Sequence, residues 1–239
     1  MTFAPQSKVD FQCNIPLYDY QEKAKDALVE CGRGILQSAA GSGKTQIGIA
    51  LACEIGEKTL WLTHTRDLLL QSKSRAEQYM SSALTGTITE GRVQIGKGIT
   101  FATVQTMWNL DLNRYRDTWG CVIVDECHRV AGTPTAVTQF SKVLSSLAAR
   151  HKYGLSATVH RADGMIAATY ALLGKIAYQV PDEAVADKIM TVSVLPRPTQ
   201  IGLSKEFLDT DGTIIYAKVI NYLAEDFRRN GQIVGDLML

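Results

Sequence analysis

No sign of charge dominates this sequence: 25 Lys and Arg stand against 24 Asp and Glu, a formal balance of +1. A chain that grips polyanions over its whole surface is excluded. A local basic groove is not, because it needs only a few side chains. None of the five cysteines forms a C-x-x-C pair, so neither zinc-site spacing nor a disulfide framework is present. That usage predicts a reducing, cytoplasmic compartment. Cys121 and Cys127 flank a strongly apolar run and are expected to be buried or beside a site. No apolar run approaches the roughly 18 residues of a membrane span. The opening stretch MTFAPQSKVDFQCNIPL lacks the apolar core of a secretory leader. Internal repeats and low-complexity segments are also missing. The remainder is ordinary: 46% hydrophobic and 21% charged residues suit a soluble globular protein, and 239 residues suffice for one large domain or one and part of a second.

Short apolar runs alternate with segments of helical period. RGILQSA (33–39), KTLWLTH (58–64), GITFATVQT (98–106), WGCVIVDE (119–126) and KYGLSAT (152–158) read as strands. Residues 45–55, 66–80 and 135–149 read as helices, the last with Val137, Phe140, Val143, Leu144 and Leu147 on one broad stripe. Cys121 to Val124 is apolar without alternation, which suits a central strand covered on both faces. The pattern predicts an α/β fold with a mostly parallel central sheet and helices on both faces. Beyond about Gly174 the organisation changes. KIAYQV (175–180) and MTVSVLPRP (190–198) read as later strands, and 213–229 as one amphipathic helix with Asp211 as N-cap and Gly231 as stop. Ile215, Val219, Tyr222, Leu223 and Phe227 share a face of it. The closing segment QIVGDLML is apolar with nothing to pair with, which predicts a cut through a larger protein.

The residues SAAGSGKT (38–45) carry the first chemistry. A phosphate-binding loop asks for G-x-x-x-x-G-K-[S/T] between a strand and a helix. Ser38 replaces the first glycine; the rest fits. Gly41, Ser42 and Gly43 turn backbone N–H groups toward phosphates, and the helix N-terminus adds its dipole. Lys44 is expected at the β and γ phosphates, and Thr45 as a hydroxyl ligand of Mg²⁺. The competing reading is a plain glycine turn. A second acidic site belongs at the end of a buried strand on the same sheet edge. CVIVDECH (121–128) supplies it: Asp125 for the metal, and Glu126 to orient or deprotonate the attacking water. A surface acidic pair is the alternative. The loop therefore predicts bound ATP and Mg²⁺.

With D-E-C-H at Asp125 to His128, the sequence resembles the superfamily 2 DEAD/DEAH-like helicases and translocases, in their Rad25-like or restriction-motor branch. LYDYQ (17–21) resembles the Q motif, AAGSGKT motif I, THTRDLLLQ (63–71) motif Ia, ATVQT (102–106) the next nucleic-acid motif, and GLSATVHRADG (154–164) motif III. The resemblance spans roughly Pro16 to Val180, and six weak motifs in order make a strong one. It implies a RecA-like P-loop domain, the first of two. Residues 1–15 would be an extension, 16–200 the domain, and 201–239 a linker and helix leading to a missing second RecA-like domain, supplied in cis or in trans. The resemblance places Gln21 at adenine, where an amide can pair with N6 and N7. It places Thr65 and Arg66, and Thr103 and Gln105 at the end of the third strand, on a nucleic-acid backbone, DNA more than RNA, without base specificity. Thr65 is equally suited to plain helix capping. His128, Ser156 and Thr158 would couple motif II to the nucleic-acid side. His64, His151 and His160 read as structural. The sequence departs from the family at Tyr18, where a basic residue is usual, and at His64 and Val159, where proline is common. Three readings follow: the N-terminal motor domain of an ATP-dependent helicase or translocase; a motor subunit of a restriction or repair complex; or a nucleotide- and nucleic-acid-binding module without turnover.

Overall fold

The computed structural model describes residues 3–6, 8–11, 13–131, 134–158, 166–188, 196–198 and 205–238. They fall into two compact units, Met1–Met190 and Thr191–Leu239. The first unit is built on an eight-stranded sheet. Its strands are β1 (Arg33–Gln37), β2 (Thr59–Thr63), β3 (Thr85–Thr89), β4 (Arg92–Gln94), β5 (Ile99–Thr103), β6 (Cys121–Val124), β7 (His151–Ser156) and β8 (Ile176–Gln179), in the spatial order 4-3-5-2-6-7-1-8. Every pairing is parallel except β3 with β4.

The side-chain period of two explains why the central strands read as unbroken apolar runs. Trp61, Phe101, Ile123 and Tyr153 point to one face, where they meet α1 (Asp19–Cys31), α2 (Lys44–Ile55) and α3 (Arg66–Ala76). Leu60, Leu62, Val122 and Val124 point to the other, against α4 (Val104–Trp108), α5 (Pro134–Ser146) and α6 (Ile166–Leu173). Phe140, Val143, Leu144 and Leu147 of the expected stripe are buried. Cys121 and Cys127 are buried too, and burial pushes the Cys121 thiol up to about 12. Gly48 lets α2 lie against the sheet: a Cβ there would come within 2.7 Å of the Trp61 ring and 2.8 Å of Leu155.

Several expectations are corrected. The helix read over 66–80 ends at Ala76. The run 98–106 divides, since β5 stops at Thr103 and Gln105 lies in α4 rather than closing the strand. The hairpin of β3 and β4 and the helix α6 were not expected. In the second unit, 213–229 is not one helix. Two form, α7 (Tyr216–Glu225) and α8 (Phe227–Leu237), because the Asp226 carboxylate accepts the Arg229 N–H at 2.7 Å and starts a new helix. Asp211 instead accepts the Thr213 N–H in a turn, and Gly231 lies inside α8. Of the shared apolar face, Val219 is buried while Phe227 is 87% exposed. The run 190–198 lies outside the described residues up to 195, as do Val159 and His160. Among the described residues no helix is long and apolar enough to cross a membrane.

Candidate nucleotide and nucleic-acid site

The described motif residues gather where the parallel strands end, the edge at which ligands meet open α/β sheets. The loop between β1 and α2 makes its turns at Gly41 (φ 80°) and Gly43 (φ 81°). Gly43 is the N-cap of α2, and no side chain caps this helix. Its first-turn N–H groups therefore face the loop without a side-chain acceptor, the arrangement that suits a phosphate. Lys44 folds back, its ammonium donating to the carbonyls of Ser38 (3.2 Å) and Ala39 (3.1 Å). Thr45 follows it in the first turn of α2.

The substitution at Ser38 has a structural account. Its hydroxyl bonds that of Ser42 across the loop at 2.6 Å, and its N–H is held by the Ser156 carbonyl at 3.0 Å. Gln21 lies beneath the same loop, only 2% exposed. Its Nε2 donates to the Ser42 carbonyl (3.0 Å), and its Oε1 accepts from the Tyr18 N–H (2.9 Å). The Tyr20 hydroxyl shares the Ser42 carbonyl at 2.9 Å. A Cβ at Gly43 would come within 2.3 Å of the Gln21 amide nitrogen, so the glycine and the glutamine fit as a pair.

Asp125 and Glu126 follow β6, one strand removed from β1 across β7. Glu126 has φ 49°, the one left-handed non-glycine among the described residues. Such strain persists only where surroundings over-determine it. Here the Asp125 carboxylate accepts the Glu126 N–H at 3.0 Å, and the Asp125 N–H is tied to Leu62 of β2 at 2.9 Å. Ser72 reaches the other Asp125 oxygen at 3.5 Å. The two carboxyls are driven apart electrically. Burial, and then the charge of Glu126, push Asp125 up to about 6. A hydrogen bond with His128 holds Glu126 below the usual carboxylate range, and the Lys44 charge lowers both.

Behind the carboxylates runs a chain of polar contacts. His128 Nδ1 is 3.2 Å from Glu126 Oε2 and 3.0 Å from the Ser156 hydroxyl. Ser156 donates its single proton to the Thr158 carbonyl at 2.8 Å. A carboxylate can only accept, so Nδ1 carries the proton. The single Nδ1–H is shared by two acceptors, so donation runs outward from His128, to Glu126 on one side and through the Ser156 hydroxyl to the Thr158 carbonyl on the other.

A cleft of about 490 Å³ opens farther along the edge, lined among others by His64, Arg66, Thr103, Gln105 and Thr106. Thr65 is placed as the N-cap of α3, accepting the Leu68 N–H at 3.3 Å. Thr103 caps α4, accepting the Thr106 N–H at 3.2 Å. Gln105 Nε2 lies 3.4 Å from His64 Nδ1. Burial, and then the Arg129 charge, lower the His64 pKa, which favours the neutral ring. His151 is held away from this cleft, on the Gly32 carbonyl at 3.0 Å.

A family model described as the res subunit of type III restriction enzymes matches residues 14–161. The chain belongs to this family. Among curated relatives, the res-subunit domain is 32% identical over 173 residues to a putative DNA 3'-5' helicase Rad25 of Halobacterium salinarum, covering 68% of this chain and 26% of that protein. It is 28% identical to the DNA 3'-5' helicase XPB of Mycobacterium tuberculosis, covering 69% of this chain and 30% of that protein. The chain thus spans about a quarter to a third of these relatives. The solved UvsW helicase of bacteriophage T4 superposes with a TM-score of 0.60 at 22% identity, covering 75% of this chain and 64% of that one. The res-subunit domain is therefore a RecA-like domain of superfamily 2, in the Rad25-like branch, and its fold class is the one expected from its motifs.

The structure brings Gln21 of α1 against the loop of Gly41, Ser42 and Gly43 that leads into Lys44 and Thr45 of α2, and joins Glu126 to His128, Ser156 and Thr158. It brings Arg66, Thr103 and Gln105 into one cleft. Sequence reasoning missed Tyr20, Ser72 and the placement of His64. Ser72 had a signal: it shares the buried stripe of α3 with Leu69 and Ala76, where a hydroxyl needs a partner.

Proposed function

We propose that the res-subunit domain is the ATP-binding half of a motor that walks along nucleic acid, DNA rather than RNA. The observation that carries this is the pairing of the uncapped α2 loop and Lys44 with two electrically distinct carboxyls, Asp125 and Glu126. Both carboxyls feel the Lys44 charge. The donor set fits the group: Gly41, Ser42, Gly43 and Lys44 for phosphates, Thr45 and Asp125 for Mg²⁺. When bound, Mg²⁺ neutralises phosphate charge. Lys44 exchanges its loop carbonyls for phosphate oxygens. Glu126, kept ionised by His128, holds the attacking water and takes its proton. Gln21 fixes the loop through Ser42, and its second N–H and lone pair are what it offers an adenine edge.

The chain from Glu126 to Thr158 is well suited to report occupancy to the nucleic-acid side. Thr65, Arg66, Thr103 and Gln105 would hold a strand by its backbone. DNA is favoured because the relatives named above are DNA helicases. The domain extends over 16–200, with 1–15 as an extension and 201–239 leading to a second RecA-like domain in cis or in trans. That domain would supply the cation that stabilises the transferring phosphoryl group, worth roughly 10³ to 10⁵ in rate. The family description also favours service as the motor subunit of a restriction complex. The site of action is the cytoplasm. A steady-state ATPase assay with single-stranded DNA tests the proposal. Slow hydrolysis by this chain, raised at least 10³-fold by adding a second RecA-like domain from a Rad25-like relative, is expected. Fast, strand-stimulated hydrolysis by this chain alone would refute the division of labour.

A further inference from the structure

A second cleft, of about 370 Å³, lies within the first unit at the opposite edge of the sheet. Arg33 opens β1 and Lys152 is the second residue of β7, whereas the nucleotide loop follows the last residue of β1. Five residues of strand set the two edges roughly 17 Å apart. Among the described residues lining this cleft, Arg33, Arg116, Arg150 and Lys152 are cationic and none carries a carboxylate. Four positive charges in one cleft stand out in a chain whose formal balance is +1.

Part of this cluster serves the fold. Lys152 donates to the Leu144 and Leu147 carbonyls at the end of α5, and Arg33 to the Leu172 carbonyl at 3.3 Å at the end of α6. Carbonyls satisfy hydrogens but cancel no net charge. The charges also act on one another, since Arg33 and burial lower the Lys152 pKa, burial the larger cause. Arg150 lies 5.8 Å over the half-exposed Phe3 ring, and among the described residues Arg116 has the exposed Asp117 as its one ion-pair partner, at 3.9 Å. Helix-end satisfaction thus accounts for Arg33 and Lys152 but not for Arg116 or Arg150. Between the cations the accessible lining is apolar, supplied by the half-exposed Phe3 with Ala171 and Leu172, while Leu144 and Leu147 are buried.

We infer that this cleft docks a segment of a partner protein that inserts one large apolar side chain flanked by aspartates or glutamates. The cationic rim selects the acids, and the apolar floor of Phe3, Ala171 and Leu172 takes the side chain between them. A nucleic-acid backbone meets only half of that requirement: its phosphates match the rim, but its wet sugars and phosphates do not match the floor. The cleft also faces away from the edge that carries Lys44 and Thr103. Docking there leaves the nucleotide loop clear, so a partner could be carried while the motor works.

The test is selection of random 12-residue peptides displayed on phage against the whole chain, followed by fluorescence anisotropy on the enriched sequences. Expected are peptides with acids around a Leu, Phe, Met or Trp. Their affinity should fall at least tenfold in the Arg116→Glu, Arg150→Glu double variant, and also in Ala171→Trp, which crowds the cleft. ATP affinity and the thermal unfolding midpoint should be unchanged in the variant used for the comparison, which excludes a folding defect; the two variants back each other in this. The inference is overturned if no peptide is enriched, if the enriched peptides lack acids, or if binding ignores both variants. It is equally overturned if oligothymidylate displaces the peptides at the concentration at which it binds the chain, for then the cleft is a nucleic-acid surface.

Discussion

Replacing Asp125 by asparagine should stabilise the metal-free protein while destroying its response to Mg²⁺. The Asp125 carboxyl is 7% exposed, beside Glu126, and its pKa stands at about 6 against an ordinary 3.8. A carboxyl raised in the folded state costs nothing below pH 3.8. Its penalty grows as pH climbs from there and is complete above about 6. At about 1.36 kcal/mol per pH unit, the full penalty is about 3 kcal/mol at pH 8, and about 1.5 kcal/mol at pH 5. Asparagine keeps an oxygen for the Glu126 N–H and presents an amide to Ser72, so it sheds the penalty with little loss. Urea unfolding of both proteins in a chelator should therefore show Asp125→Asn more stable by about 3 kcal/mol at pH 8, the gain halving at pH 5. In melting temperature the pH 8 gain is about 6 to 12 °C for a chain of this size. ATP with Mg²⁺ at a thousandfold its Kd should then reverse the order, adding about 4.1 kcal/mol to the parent alone. A variant no more stable than the parent at pH 8, or a gain independent of pH, would refute the reasoning.

Glu126→Gln should leave ATP affinity within about threefold and lower hydrolysis by at least 10² in the presence of a second domain, as single-turnover kinetics would report. Gly48→Ala should cost about 1 to 3 kcal/mol in urea unfolding, because its Cβ would press on Trp61 and Leu155. Single-stranded DNA should bind without sequence preference and weaken steeply with salt. Arg66→Ala should flatten the slope of log K against log salt by about 0.7, measured by anisotropy titrations.

The sheet and the edge that carries the candidate site were legible because burial writes itself into composition. Cys121 to Val124 has no polar residue to spare, and a strand so covered can only be central. The hairpin of β3 and β4 was not legible. RVQ is an exposed edge strand and TGTIT, although mostly buried, has Ile88 as its one large apolar side chain, so with a Glu90-Gly91 turn between them neither carries an apolar signal. The split between α7 and α8 was hidden by a continuous apolar stripe. Asp226 outweighs it locally, and an exposed helix tolerates Gly231 at a cost of about 1 kcal/mol. In the site, residue types announced Lys44, Asp125 and Glu126. The contacts that hold them did not show, because Ser38 with Ser42, Gln21 with Ser42, and His64 with Gln105 are made across the fold and leave no periodicity. Gln21 illustrates the limit: its motif was readable, while its burial beneath the loop was set by Gly43 and Tyr18 together.

The central claim, that Lys44 and Asp125 form one site for ATP with Mg²⁺, is tested most directly by isothermal titration of ATP into the chain and its Lys44→Ala variant, each with Mg²⁺ and with chelator. Measurable binding by the parent is predicted, weakened by chelator, with no heat from Lys44→Ala although it unfolds at the parent's urea midpoint within about 1 kcal/mol. Equal affinity in the two proteins would contradict the assignment of this loop and the account built on it.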